Sequence, residues 1–198
     1  MNARLPAVLL LATSLAGCVT PVGPVEVTRF HAPDVAALGK GPVTVSAGPG
    51  MDAGSLELKT YQIAVMQQLQ RVGYTAADGT ANAGGQIALV RLVRTRFQPE
   101  RAGGPVSVGL GGSTGSYGSG LGVGIGIDLS GKPAAQVQTE LSVTIRDRTT
   151  GTSLWEGRAN FTVSAKSPLA DTQLAAPKLA AALFQGFPGN SGETIEVK

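Results

Sequence analysis

The sequence contains a single cysteine and a single histidine, and only 15 % of its residues are charged. A disulfide within the chain is therefore impossible, and a zinc site made of cysteine and histidine can hardly be assembled. Basic residues never form a run of five or more, which gives little support to nucleic-acid binding. Hydrophobic residues still make up 42 % of the 198 positions, enough for the core of one domain.

Catalytic signatures are equally scarce. His31 falls in a predicted loop, without a local nucleophile and orienting carboxylate. Asp147 and Glu156 flank a predicted turn, where solvated carboxylates are far commoner than a catalytic pair. We therefore expect a protein that is not an enzyme and that uses no cofactor and no metal ion.

The amino terminus resembles the signal of a bacterial lipoprotein. A positive start that includes Arg4 is followed by an apolar run of about ten residues, half the length that a membrane-spanning helix needs. The run ends in a sequence like a lipobox, which consists of Leu15, Ala16, Gly17 and Cys18. This resemblance implies cleavage before Cys18 and attachment of acyl chains, each buried CH₂ of which contributes about 0.8 kcal/mol. The alternative is a buried structural cysteine after an ordinary signal peptide.

The lipobox divides the chain into segments. Residues 1–17 are the predicted signal peptide, and residues 18–24, which include two prolines and a glycine, are a lipidated tether. A single domain is predicted over residues 25–189 and a C-terminal tail over residues 190–198. Val19 stands where an aspartate resembles an inner-membrane retention mark, so we expect an outer-membrane anchor facing the periplasm.

Periodic apolar positions predict strands and two helices in the order ββ, helix, β, glycine segment, ββ, helix. The first helix runs from a Ser55 cap to Val72, and the second opens at Ser167 and reaches Gln185 with a kink or a restart at Pro177. The strands are predicted at residues 25–30, 42–47, 86–97, 137–147 and 155–163. This order favours an α+β fold, an antiparallel sheet of about five or more strands with two helices packed on one face.

Twelve of the 28 glycines lie in residues 103–131. Aliphatic residues alternate there with glycine on both sides of a turn-rich centre, which predicts a β-hairpin with one apolar and one nearly bare face. We favour a flexible excursion whose apolar side rests on the core. The alternatives are an edge that pairs with another chain and a hairpin that enters the outer membrane within an oligomeric assembly.

Four arginines occur within eleven residues: Arg91, Arg94, Arg96 and Arg101. They could bind an anionic glycan or phosphate, but we favour a place on the solvent side of a strand end.

Several motifs together resemble the bacterial lipoprotein family called domain of unknown function 4136. The order of these motifs carries the resemblance: Val72-Gly73-Tyr74 after the helix, the glycine stretch 122–128, residues 141–147 and 149–151, Leu154 to Ala159, and residues 183–188. The resemblance implies an α+β domain on a lipid anchor in Gram-negative envelopes. It implies no reaction and no catalytic residue.

These observations predict a non-enzymatic, lipid-anchored envelope protein that acts as a structural or interaction module. Its expected partners are the membrane, through Cys18, and another protein or a second copy, through the glycine-rich hairpin. The alternatives are a binding protein for an anionic envelope ligand and a subunit of an oligomeric envelope pore or secretion assembly.

Overall fold

The computed structural model describes residues 23–77, 85–99, 106–115, 118–127 and 133–198, with residues 106–127 described through their backbone. Two α-helices accompany a mixed sheet of seven strands, and the fold is α+β. The predicted signal peptide, the lipobox and most of the tether lie outside the described residues.

The bounds of the seven strands are β1 Val25–His31, β2 Pro42–Ala47, β3 Thr75–Ala76, β4 Gln86–Phe97, β7 Gln136–Asp147, β8 Ser153–Ser164 and β9 Thr194–Val197. Across the sheet they have the order β3-β2-β4-β7-β8-β1-β9. Central strand β7 alternates buried and less buried residues along its length, as the sequence predicts, because one side of each strand meets the core. The Asp147 carboxylate accepts hydrogen bonds from the backbone N–H groups of Thr149 and Thr150 in the turn that leads to β8.

The sheet is mixed, so the prediction of a wholly antiparallel sheet is wrong. Strand β2 pairs in parallel with β4 and with β3. The physical reason is the helix between them: the chain leaves β2, crosses back through α1 (Leu56–Arg71), and re-enters the sheet in the same direction. The remaining ladders, β4–β7, β7–β8, β8–β1 and β1–β9, are antiparallel.

Helix α1 begins and ends where its sequence predicts. The Ser55 hydroxyl accepts a hydrogen bond from the backbone N–H of Leu58 at 3.2 Å and caps the first turn. At the other end Gly73 has φ +109°, and a Cβ there would collide with the carbonyl oxygen of Gly39. The buried stripe of the helix consists of Leu58, Tyr61, Ala64, Val65 and Leu69.

Helix α2 (Thr172–Phe184) differs from its prediction in two ways. The predicted helix starting at Ser167 is a short 3₁₀ turn at Pro168–Ala170, and the α-helix itself begins after the Asp171 cap. It then continues through Pro177, where a kink or a second start was predicted. Its apolar side also differs, since Leu174 is exposed and four alanines are buried instead. Because alanine side chains are short, α2 can approach its neighbours closely. It packs against α1, β8 and β1.

The interior contains an aromatic cluster at the C-terminal end of α2. Trp155 of β8 lies 5.3 Å from Phe184 and 5.2 Å from Phe187 between ring centroids, and its indole N–H donates to the Pro188 carbonyl at 2.9 Å. The Trp155 ring covers Gly157, where an added Cβ would overlap the indole and lie 2.8 Å from a Leu183 methyl. Glycine at this strand position therefore makes the contact between α2 and β8 possible.

Strands β5 (Val106–Gly115) and β6 (Gly118–Ile127) form a separate two-stranded antiparallel sheet. The β4–β7 ladder ends with Phe97 opposite Gln136, and the β5–β6 ladder starts with Val106 opposite Ile127. Eight residues separate the two ladders on each side, 98–105 and 128–135. Because these lengths are equal, β5 and β6 pair in the register that β4 and β7 would have if their ladder were continued. The two ladders therefore have the same register.

Both edges of the sheet are short strands that the sequence pattern did not predict. Strand β3 has two residues, and β9 has four within the predicted tail of residues 190–198. Strand β9 pairs with β1, and the hydroxyl groups of Thr28 and Thr194 are 2.7 Å apart across this ladder. The predicted domain thus extends beyond residue 189.

The contact at Gly157 leads to a stability prediction. Gly157→Ala should lower the free energy of unfolding by about 1–3 kcal/mol, because overpacking forces the indole and Leu183 to move. Urea unfolding of the two proteins measures this difference. Gly23→Ala is the control, since an added Cβ there meets nothing within 4 Å. Equal unfolding midpoints for the native chain and Gly157→Ala would contradict the prediction.

Candidate functional site

A group of hydrogen-bonded polar residues lies where α1, α2 and β4 meet. Arg94 of β4 donates from Nη1 to the Glu57 carboxylate and to the Thr172 hydroxyl, the latter at 2.8 Å. Its Nη2 donates to the Ala170 carbonyl at 2.6 Å, and the Thr172 hydroxyl donates to Glu57 at 2.7 Å. One guanidinium therefore links the first turn of α1 to the start of α2. We call these four residues the Arg94 junction.

The charge state of Glu57 follows from this geometry. Burial alone would raise the pKa of its carboxyl, but hydrogen bonds from Arg94 and Thr172 and the charge of Arg94 outweigh it and lower the pKa below the usual value. Glu57 is consequently ionised at neutral pH. The pair is partly exposed to solvent, which limits its contribution to stability.

A cleft of about 280 Å³ adjoins the junction. Its walls include Glu57, Arg94, Arg96, Val137 and Ala170. The cleft lining thus contains the ion pair of Arg94 and Glu57, whose charges offset each other, and one exposed arginine, Arg96. Such a lining can hold water or a small polar group.

The structure does not bring the predicted arginines into one cluster. Successive residues of a strand point to opposite sides, so Arg91 lies on the other face of the sheet from Arg94 and Arg96. We predicted Arg94 on the solvent side of a strand end, but its guanidinium instead donates hydrogen bonds to other residues of the protein. Arg101 and the lipobox residues Leu15, Ala16, Gly17 and Cys18 lie outside the described residues.

A second arginine is buried more deeply and was not singled out by the sequence analysis. Arg29 of β1 is 5 % exposed and donates from Nε to the Leu183 carbonyl at 3.1 Å and from Nη2 to the Ala182 carbonyl at 3.2 Å. Burial lowers the pKa of its guanidinium, and the charge of Glu193 opposes that effect. Its position in phase with the apolar residues Val25 and Val27 is the sequence signal that could have revealed it.

Residues considered for catalysis do not converge. His31 is the last residue of β1 rather than part of a loop, and its Nδ1 lies 2.8 Å from the Ala32 carbonyl oxygen. Asp147 closes the β7–β8 turn, while Glu156 is exposed on β8. The segment Gly111–Gly115 has the G-x-S-x-G spacing of a nucleophile elbow, but Ser113 lies inside β5 instead of at a strand-to-helix turn.

Within the described ranges, no group of three histidine, cysteine, aspartate or glutamate side chains is arranged to hold a metal ion. In the same residues, no helix is both long enough and apolar enough to cross a membrane.

The family model "Domain of unknown function (DUF4136)" matches residues 48–189, which is more than half of the chain. The chain belongs to the DUF4136 family. The match runs from the end of β2 to the turn after α2 and includes the whole Arg94 junction. A relative by sequence is the Zymomonas mobilis "Uncharacterized protein ZMO1243", which is 28 % identical and is matched over 88 % of this chain and 80 % of its own length.

Solved structures resemble this DUF4136 chain at low sequence identity. A PDZ domain protein from Parabacteroides distasonis is 12 % identical, with a TM-score of 0.47 over 88 % of this chain; the chain spans 39 % of that protein. The PelC dodecamer from Paraburkholderia phytofirmans is 16 % identical in one crystal form, with a TM-score of 0.42, and 84 % of this chain and 99 % of that chain are covered.

The lowered pKa of Glu57 predicts an acid-side loss of stability. Because the folded-state pKa lies below the unfolded one, the stabilising effect is complete above the usual glutamate pKa and disappears as the pH falls through the folded-state value. Glu57→Gln should therefore lower the free energy of unfolding at pH 7 by about 1 kcal/mol or less. This difference between the variant and the native chain should become smaller as the pH falls. Chemical denaturation of both proteins between pH 3 and pH 7 measures the difference. Glu156→Gln on the exposed side of β8 is the control, and a pH-independent difference would contradict the prediction.

Proposed function

We propose that this DUF4136 protein is a lipid-anchored envelope protein that acts as an interaction module on the periplasmic side of the outer membrane. One observation carries the proposal: the only cysteine of the chain, Cys18, stands at the end of a lipobox-like sequence. The folded domain starts soon afterwards, since β1 begins at Val25. The six residues between them span at most about 20 Å, so an acylated Cys18 would hold the sheet close to the bilayer.

The helices leave one side of the sheet available for contacts. We infer that α1 and α2 cover the same face, since they pack on each other, α1 also contacts β2 and β4, and α2 also contacts β8 and β1. Along β7 and β8 the opposite side carries polar and charged residues such as Glu140, Arg158 and Thr162. This face suits contact with water or with a polar partner surface.

The glycine-rich hairpin is the part of the chain that we propose as the interaction element. Its shared register with the β4–β7 ladder supports an arm that prolongs this pair of strands. Cross-strand partners align Val93, Glu140, Asn160 and Glu26 in one row, so β4 ends and β1 begins at the same end of the sheet. The connections to the tether and to the glycine-rich hairpin therefore start at the same end of the sheet, and residues 106–127 contain no charged residue.

A binding protein for an anionic envelope ligand is the less favoured function. Arg91 lies on the opposite face, and Arg94 already donates to Glu57, Thr172 and Ala170. An anion at the cleft would depend chiefly on Arg96. For this reason we assign Arg94 a structural role.

The anchor is tested by metabolic labelling with a palmitate analogue in a Gram-negative host. Cys18→Ser should abolish the label and release the protein from the membrane fraction, because no other thiol can carry the lipid. Ser14→Ala, in the apolar run before the lipobox, should keep both. A label that persists in Cys18→Ser, or a purified native protein that begins before residue 18, would refute the anchor.

The arm is tested by a deletion that respects the register. Replacing residues 104–129 by Asn-Gly removes equal lengths from both flanks and supplies a tight hairpin turn. The domain should stay folded, with a Tm change of about 4 °C or less, and should lose the crosslinked species that the full chain forms in cells. The β7–β8 turn provides the control, since Thr149→Ala should keep these species. An unfolded deletion variant would instead make the segment part of the core.

A further inference from the structure

Three polar atoms in the described interior are buried without a hydrogen-bond partner close to the Arg94 junction. They are the hydroxyl oxygens of Tyr61 and Thr139 and the Nε of Arg94. Tyr61 is fully buried and Thr139 is 1 % exposed. A buried polar group without a partner lowers the stability of the fold, so three such groups together call for a shared explanation.

The fold brings the three groups together. Arg94 and Thr139 are direct partners across the β4–β7 ladder, and directly opposite residues of an antiparallel pair have side chains on the same face. Tyr61 lies one turn after Glu57 on α1, and Glu57 is bonded to Arg94. The charges of Arg94 and Glu57 act on the phenol of Tyr61, which is consistent with this proximity.

The hydrogen-bonding capacity of the three groups fits one particular ligand. The Arg94 Nε can only donate, whereas each hydroxyl can donate or accept. Burial raises the pKa of Tyr61 to about 12, so its hydroxyl keeps the proton at neutral pH. A water molecule can accept from the Arg94 Nε and from the Tyr61 hydroxyl and can donate to the Thr139 hydroxyl oxygen, which gives it the three partners that buried waters usually have.

We propose that Tyr61, Thr139 and Arg94 form a binding site for one internal water molecule between α1, β4 and β7. Arg94 holds Glu57, Thr172 and Ala170 with its terminal nitrogens and the water with its Nε. Since Arg94 also lines the cleft, the water lies behind the cleft wall and exchanges with solvent through it. The water thus completes the hydrogen bonding of the guanidinium.

A crystal structure of the purified protein tests the site directly. We expect one ordered water within roughly 2.7–3.2 Å of all three atoms. Magnetic relaxation dispersion of labelled water should also detect one long-lived molecule in solution. An empty site, direct hydrogen bonds among the three groups, or density for a larger molecule would overturn the proposal.

Two variants extend the test. Tyr61→Phe and Thr139→Val should each remove the ordered water and its long-lived signal, and combining them should cause no further loss of signal. The matched controls keep the water: Tyr74→Phe, whose hydroxyl donates to Gln86 at 2.8 Å, and Thr144→Val, on the other side of β7. A water retained in both test variants would contradict the assignment, and if a variant fails to fold, the native structure and its relaxation data still decide.

Discussion

The contact of Trp155 with Gly157 determines how α2 meets the sheet. Without a side chain at residue 157 the indole lies flat along β8 and stacks on Phe184, so the end of α2 and the strand share one aromatic cluster. The indole N–H then fixes the following segment through the Pro188 carbonyl. That segment leads to β9, the strand that completes the sheet beside β1. The absence of a side chain at Gly157 thus permits the contacts that join α2, the sheet and the C-terminal edge strand.

Helix α2 is also held by an arginine at each end. Arg29 donates to the last carbonyls, where the helix dipole favours a positive charge and where carbonyl oxygens lack partners within the helix. Arg94 binds the first turn, where the dipole disfavours a cation. The carboxylates of Glu57, bonded to Arg94, and of Asp171, the helix cap, offset this cost. The charges around α2 are therefore balanced locally although the whole chain is slightly basic.

Local patterns predicted the strands and α1 well, because alternation and capping are properties of neighbouring residues. The antiparallel sheet was predicted wrongly at β2, since direction depends on the route of the chain through α1. Strands β3 and β9 are too short to show a period. The role of Arg94 was also missed: it continues the inward phase of Ala88 and Val90, but a pattern cannot reveal the helices that satisfy its charge. Tyr61 falls in the apolar stripe of α1 and Thr139 in the inward phase of β7, so neither position stands out from the core in the sequence.

The first and last strands are neighbours, with Val25 opposite Val197. Joining the carboxyl end to residue 25 through a short linker would close the backbone into a ring without displacing a strand. New termini could then be opened in the exposed turn between β7 and β8, which lies at the opposite end of the sheet from Val25. Such a circular permutation would move the chain ends to the opposite end of the sheet while preserving every strand pairing.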